Sequence, residues 1–222
     1  MCKLRVYFWT NILAFHQSAH LRALAEMGHD VVVVADREIT QDRLDCGWHV
    51  PDFGRASTVV GPDESRVESM IEEGGPEAVH ILPGTGAPDA EAASIALKHC
   101  VRRKVRFGFC CEGCDPRGAK GLARRALYSR GYRDSGKHAD FMLAMGRNGA
   151  EWYVGCGYPR SRLFPYAYLT EKPGEETSTG ESRGSAKLLF IGQLIPRKGL
   201  DIALNALQGL THLDWSLTVV GD

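Results

Sequence analysis

Residues 4–35 read LRVYFWTNILAFHQSAHLRALAEMGHDVVVVA, and this stretch decides the fold. Leu4–Trp9 is a short, β-rich apolar run. After a polar loop, His20–Met27 has helical spacing, and Gly28 closes that helix as a C-cap does. Val31–Ala35 is an uninterrupted and almost wholly β-branched run, the kind buried on both faces in a parallel sheet. Strand, helix and strand within about 35 residues make one βαβ unit.

The alternation continues outward from this unit. Strands are expected at Ser57–Val60, Ala78–Leu82, Val105–Cys111, Phe141–Ala144 and Leu163–Tyr166. Helices are expected at Glu64–Glu73, at Asp89–Arg102 with Asp89 as N-cap, at Gly121–Arg133 and at Asn148–Val154. Residues 1–170 therefore read as an α/β domain with a doubly wound, Rossmann-like parallel sheet. Residues 171–187, nearly devoid of apolar side chains, read as a polar linker. Beyond it, strand Leu188–Ile191, helix Leu200–Leu210 and strand Leu217–Val220 form one more βαβ unit over residues 188–222. One such unit cannot bury a core by itself. It is expected either to add strands to the first domain or, as the linker favours, to open an incomplete second Rossmann-like domain.

The bulk numbers bound the function. Of 222 residues, 44% are hydrophobic and 24% charged, as in an ordinary soluble protein. Twenty-seven basic residues balance 27 acidic ones, which gives no electrostatic argument for nucleic acid as a partner. Seven cysteines, an odd number with no secretion signal, fit reduced cytosolic thiols. The apolar run Val6–Phe15 is interrupted by Thr10 and Asn11 and lacks a small-residue cleavage site, so it reads as a strand rather than a signal peptide. No stretch approaches the roughly 20 apolar residues that span a bilayer. The expected location is the cytoplasm, with peripheral contact at the inner face of the membrane as a further expectation.

Four segments carry a family resemblance. Met27-Gly28-His29-Asp30-Val31 resembles the Gly-His-Asp/Glu-Val junction of many glycosyltransferase N-terminal domains. Leu189-Phe190-Ile191-Gly192-Gln193-Leu194-Ile195-Pro196-Arg197-Lys198-Gly199-Leu200-Asp201 resembles the strand-loop-helix that opens the donor domain in family 4 of the retaining glycosyltransferases, which have the two-domain GT-B architecture. Leu217–Asp222 resembles that family's next strand, and Phe164–Tyr168 the strand leading toward the interdomain crossing. The resemblance implies transfer of a sugar from a nucleoside-diphosphate-sugar to an acceptor hydroxyl with retention, in glycan or polysaccharide biosynthesis. It implies an acceptor side formed by the first domain and a donor site that includes Gly192, Gln193, Arg197 and Lys198. It also implies a glycan or lipid-linked acceptor and no cofactor, since Arg197 and Lys198 would hold the leaving diphosphate in place of a tightly bound metal. The family's Glu-x7-Glu motif would lie beyond Asp222, so these residues alone are expected to be inactive.

The physical chemistry of the pair points the same way. Arg197 and Lys198 follow a Gly-containing turn at the carboxyl end of a strand and precede a helix. Ligands of open α/β sheets bind at that edge, and helix N-termini favour anions. Two cations there can stabilise the charge that grows on a departing diphosphate. The bland reading is a solvated basic pair.

His16, Gln17 and Ser18 fall in the loop after the first strand, where the family usually carries a Gly-Gly pair near donor phosphate. The departure speaks against a phosphate role and leaves acceptor contact; the bland alternative is Ser18 as an N-cap beside an exposed His16. Glu112 ends a strand on the same edge, where relatives often carry a His. It is a candidate for binding acceptor hydroxyls or acting as a base, or simply a solvated carboxylate. Cys111-Glu112-Gly113-Cys114 is a CxxC next to Cys110. Zinc would need a second close pair, which the sequence lacks, and thiol–disulfide chemistry is the remaining functional reading. Segment 117–137, with Arg117, Lys120, Arg124, Arg125, Arg130, Arg133 and Lys137 interleaved with Leu122 and Leu127, fits an anionic membrane surface or a plain solvated basic face. Two other functions stay open: a non-catalytic glycan- or partner-binding module, and a thiol oxidoreductase using Cys111 and Cys114. No G-x-G-x-x-G follows the first strand, which disfavours a dinucleotide-binding dehydrogenase.

Overall fold

The computed structural model describes residues 3–85, 89–146, 148–170 and 185–221. The chain forms two compact units, Met1–Lys172 and Pro173–Asp222. In the first, strands and helices alternate: β1 (Arg5–Ile12), α1 (Phe15–Glu26), β2 (Asp30–Arg37), α2 (Gln41–Asp45), β3 (Ser57–Val60), α3 (Glu64–Gly74), β4 (Val79–Leu82), α4 (Glu91–Arg103), β5 (Arg106–Glu112), α5 (Gly118–Asp134), β6 (Phe141–Met145), α6 (Gly149–Gly155) and β7 (Leu163–Tyr166). The strands form one sheet in the order β3-β2-β1-β4-β5-β6-β7, and every pairing is parallel. The Rossmann-like α/β class read from the sequence is the observed one.

The sheet is buried on both faces, which is why its central strands are apolar without alternation. Along β1, Tyr7 and Trp9 join one cluster with α3, α4 and α6, while Phe8 joins the other with Leu21 and Ala25 of α1. This is the two-residue period of a strand read into two cores. Cys110 and Cys111 divide the same way, Cys110 packing into the second cluster and Cys111 against the first.

Several local expectations are corrected. The first helix begins at Phe15 rather than His20, so His16, Gln17 and Ser18 are helical. Phe15 is pinned there by ring contacts to Trp48 and His49, at 5.1 and 5.2 Å between centroids. Ser18 is not the N-cap: it is 3% exposed, and its hydroxyl donates to the Phe15 carbonyl at 2.8 Å. Asp89 does not cap α4 either. The carboxylate of Asp36, at the end of β2, accepts from the N–H groups of Glu91 at 2.9 Å and Ala92 at 2.8 Å. A residue 55 positions upstream thus satisfies the first amides of that helix. The short helix α2 was not expected at all.

The second unit contains β8 (Ala186–Ile191), α7 (Leu200–Gln208) and β9 (Trp215–Val220), with β8 and β9 paired in parallel. Ala186 and Lys187 belong to β8 rather than to a linker; residues 171–184 of the expected linker lie outside the described residues. None of the described residues of this unit is buried. Leu189, Ile191 and Ile202 are 62%, 72% and 69% exposed.

Candidate functional site

The chain passes from β1 outward through β2 to β3 and returns to β4 on the other side of β1. That reversal is the topological switch point, where the two connections diverge and leave a crevice beyond the carboxyl ends of the strands. Two adjoining open clefts lie on this edge. One, of about 490 Å³, is lined by Thr10, Asn11, His16, Gln17, Arg43 and Cys111 among others. The second, of about 810 Å³, includes Asp115, Arg117, Asn148 and Gly149. Glu112, Gly113, Cys114, Met145 and Tyr168 line both.

The shared wall is held by a short contact network. The Tyr168 hydroxyl donates to Glu112 Oε1 at 2.7 Å, and the His16 ring meets the Tyr168 ring edge-on at 4.3 Å. From below, the buried Tyr153 hydroxyl donates to the backbone carbonyl of Glu112 at 2.8 Å. Of the residues singled out from the sequence in this unit, the structure brings His16, Gln17 and Glu112 to the cleft. Ser18 faces the interior and lines neither cleft. Gln17 is turned partly inward, its amide nitrogen donating to Thr10 Oγ1 at 3.4 Å.

The electrostatics favour neutral hydrogen-bonding groups at this wall. Burial pushes the pKa of His16 down; the carboxylate of Glu112 draws it partly back, and Arg43 pushes it down again. Burial and the neighbouring Glu112 push the Tyr168 phenol up, so it stays protonated and a donor. Asp115 is held down to about 2 by the side chain and backbone N–H of Arg117, its carboxylate closing onto that guanidinium at 2.8 Å. A protonated phenol, a neutral imidazole and a carboxylate side by side supply donors and acceptors for hydroxyl groups, and the Tyr168 ring offers an apolar face.

The thiols fit a redox role poorly. Burial pushes the Cys111 thiol up to about 12, opposite to what a nucleophilic thiolate needs. Its Sγ donates to the Pro83 carbonyl at 3.3 Å, and Cys114 contacts the Tyr128 hydroxyl at 3.5 Å. Cys111 and Cys114 are both free thiols. Among the described residues, no three His, Cys, Asp or Glu side chains are grouped to hold a metal ion.

Tyr168, Arg43 and Asn11 are cleft residues that the sequence reading did not single out. Tyr168 lay within a quoted segment, but only the fold brings it back 56 positions to Glu112.

In the second unit, Arg197 and Lys198 sit in a 3-10 turn, Pro196–Lys198, between β8 and α7. Gly199 follows at φ +72° and serves as N-cap of α7, a left-handed conformation that suits glycine. Gly192 leaves the end of β8, and its N–H donates to Val220 of β9 at 3.0 Å. A Cβ on Gly221 would collide with the Gly192 carbonyl, while one on Gly192 would lie 3.8 Å from Lys198 Cδ. The turn therefore brings Gly192 and Lys198 together. Gln193, Arg197 and Lys198 are in the same loop region, and both cations are exposed without an ion-pair partner among the described residues.

A doubly wound parallel sheet with clefts at the carboxyl ends of its strands defines the class of open α/β proteins, whose ligands bind at that edge. The model of the glycosyl transferase 4-like domain matches residues 17–167, more than half of the chain and the first unit from within α1 to the end of β7. The chain belongs to this glycosyltransferase family, and its general activity is glycosyl transfer. No curated protein matches the chain.

Proposed function

We propose that the protein transfers a sugar from a nucleoside-diphosphate-sugar to an acceptor hydroxyl with retention of configuration, in a GT-B arrangement serving glycan or polysaccharide synthesis. The observation that carries this reading is the family match over residues 17–167, which takes in Glu112 of the cleft that His16 and Tyr168 complete. That cleft binds the acceptor, with Glu112 receiving hydrogen bonds from its hydroxyls. In the second unit, Gly192 and Gln193 approach the donor, and Arg197 and Lys198 hold its diphosphate and neutralise the charge of the leaving group. No tightly bound metal is needed in this scheme, so a chelator leaves turnover unchanged.

The test is nucleoside diphosphate release and product configuration, measured by NMR with the full-length protein over a set of donors. Replacing both cations, Arg197→Ala with Lys198→Ala, lowers turnover by roughly 10²- to 10³-fold without loss of folding. Unchanged turnover removes their role. Glycan binding with no nucleotide binding by either protein would favour the non-catalytic reading instead.

Contact with an anionic membrane belongs to the same proposal. On α5, Leu122 and Leu127 are 66% and 67% exposed, beside exposed Lys120, Arg124 and Arg130. Exposed leucines flanked by cations suit the interface of an anionic bilayer. Among the described residues no helix is long and apolar enough to cross a membrane. Sedimentation with phosphatidylglycerol vesicles but not with phosphatidylcholine vesicles is the expected result.

A further inference from the structure

Among the described arginines only Arg22 and Arg43 are partly buried, the rest being exposed. Arg22 is paired with Asp52 at 3.2 Å. Among the described residues, no carboxylate forms an ion pair with Arg43. Neither Asp42 nor Asp45 on its own short helix pairs with it, Asp45 accepting instead from Gln41 at 2.7 Å. Glu112, across the cleft, is engaged by Tyr168. A half-buried guanidinium at the wall of an open cleft, with no ion-pair partner among the described residues, is available to pair with an anion.

Its surroundings indicate which anion. The Arg43 guanidinium lies over the Trp48 ring, 4.6 Å from the centroid, and Trp48 is itself packed against Phe15 of α1. The cation–π contact holds the guanidinium beside the ring at the cleft wall, and a guanidinium there can pair with an oxyanion in a bidentate manner. Arg43 lines the 490 Å³ cleft together with Asn11, His16 and Glu112, and its charge is felt at His16. The cleft thus has a cationic wall at Arg43 and a hydroxyl-binding wall at Glu112 and Tyr168.

We infer that the acceptor is an acidic glycoside, whose carboxylate or phosphate pairs with Arg43 while its hydroxyls meet Glu112 and Tyr168. This rests on the acceptor-side reading of the cleft. Trp48 acts as a positioning residue through its stacking on Arg43.

Isothermal titration of the full chain with methyl glucuronoside, glucose 6-phosphate, methyl glucoside and uridine diphosphate tests it. The two anionic sugars should bind more tightly than the neutral one by on the order of tenfold or more. Arg43→Gln should abolish that preference and leave the affinity for methyl glucoside unchanged. Trp48→Leu should reduce the preference partially, with thermal denaturation confirming that both variants fold. The carboxylate and phosphate arms show which group the cleft prefers. Equal binding of charged and neutral sugars, no binding of the anionic sugars, or a preference that survives Arg43→Gln would overturn the inference. Loss of uridine diphosphate binding in Arg43→Gln would assign the residue to the donor and overturn it too. Failure of the transferase reading shows separately, as absent sugar transfer in a protein that still discriminates between the sugars.

Discussion

The two units are built from the same strand-helix-strand grammar, yet they bury their side chains very differently. In the first, Trp9, Phe109 and Val33 are 1%, 0% and 0% exposed, because a seven-stranded sheet offers two faces and helices cover both. In the second, two strands and one helix leave every described residue at least partly exposed. The same apolar sequence pattern therefore yields a core in one place and an open apolar surface in the other. The contrast extends to the two proposed sites. The cleft of the first unit is shaped by a rigid scaffold with interlocked hydrogen bonds. The second unit carries two exposed cations on a turn, and the donor site proposed there would depend on charge more than on shape.

Stability measurements can break or sharpen this contrast. Phe109→Ala should cost about 3–5 kcal/mol, since it opens a cavity in a core that cannot collapse. Ile202→Ala on α7 should change stability by less than about 0.5 kcal/mol. Comparable losses from both in chemical denaturation would show that the second unit possesses a core after all.

A pH effect should follow in the first unit. Trp9 Nε1 donates to His80 Nδ1 at 3.2 Å, and burial pushes the His80 pKa down to about 4. The folded state thus binds the neutral ring and the unfolded state takes up a proton first as the pH falls. The associated stability is complete above the ordinary value of 6.5 and is lost between there and about 4, by something on the order of 3 kcal/mol. His20, also pushed down to about 4 by burial, adds to the slope. His80→Gln should therefore flatten the pH dependence of denaturation without abolishing it; an unchanged slope would remove the attribution.

Smaller effects are expected at the edges of the scaffold. Asp36→Ala should destabilise the first unit by about 1–2 kcal/mol through loss of the cap on α4, seen as a lower midpoint in denaturant. Tyr168→Phe should raise the acceptor KM by roughly three- to tenfold, the value of one ordinary hydrogen bond between the phenol and an acceptor hydroxyl, with little change in folding.

Much of the first unit was legible because its determinants are local. Val31–Ala35 and Leu4–Trp9 announce buried parallel strands, and glycines such as Gly28 mark where helices stop. Glu112 could be placed on the functional edge because any residue ending a strand of such a sheet lies there. What escaped reading depends on distant partners. The start of α1 is fixed by Trp48 and His49 rather than by a local cap, and α4 is capped by Asp36 from another strand. Tyr168 and Arg43 reach the cleft only through the fold, and nothing in their own neighbourhoods marks them. The strand–turn–helix that carries Arg197 and Lys198 was legible from the Gly192–Asp201 pattern; the donor role of the pair is a proposal.

The central claim, that acceptor and donor are recognised by different units, is tested most directly by amide chemical-shift mapping of the labelled chain with each ligand in turn. The account predicts that a nucleoside diphosphate shifts Gly192, Gln193, Arg197 and Lys198, and that an acceptor sugar shifts His16, Glu112 and Tyr168. If both ligands shifted the same unit, or the nucleotide left the Arg197–Lys198 turn untouched, the division of labour would be contradicted.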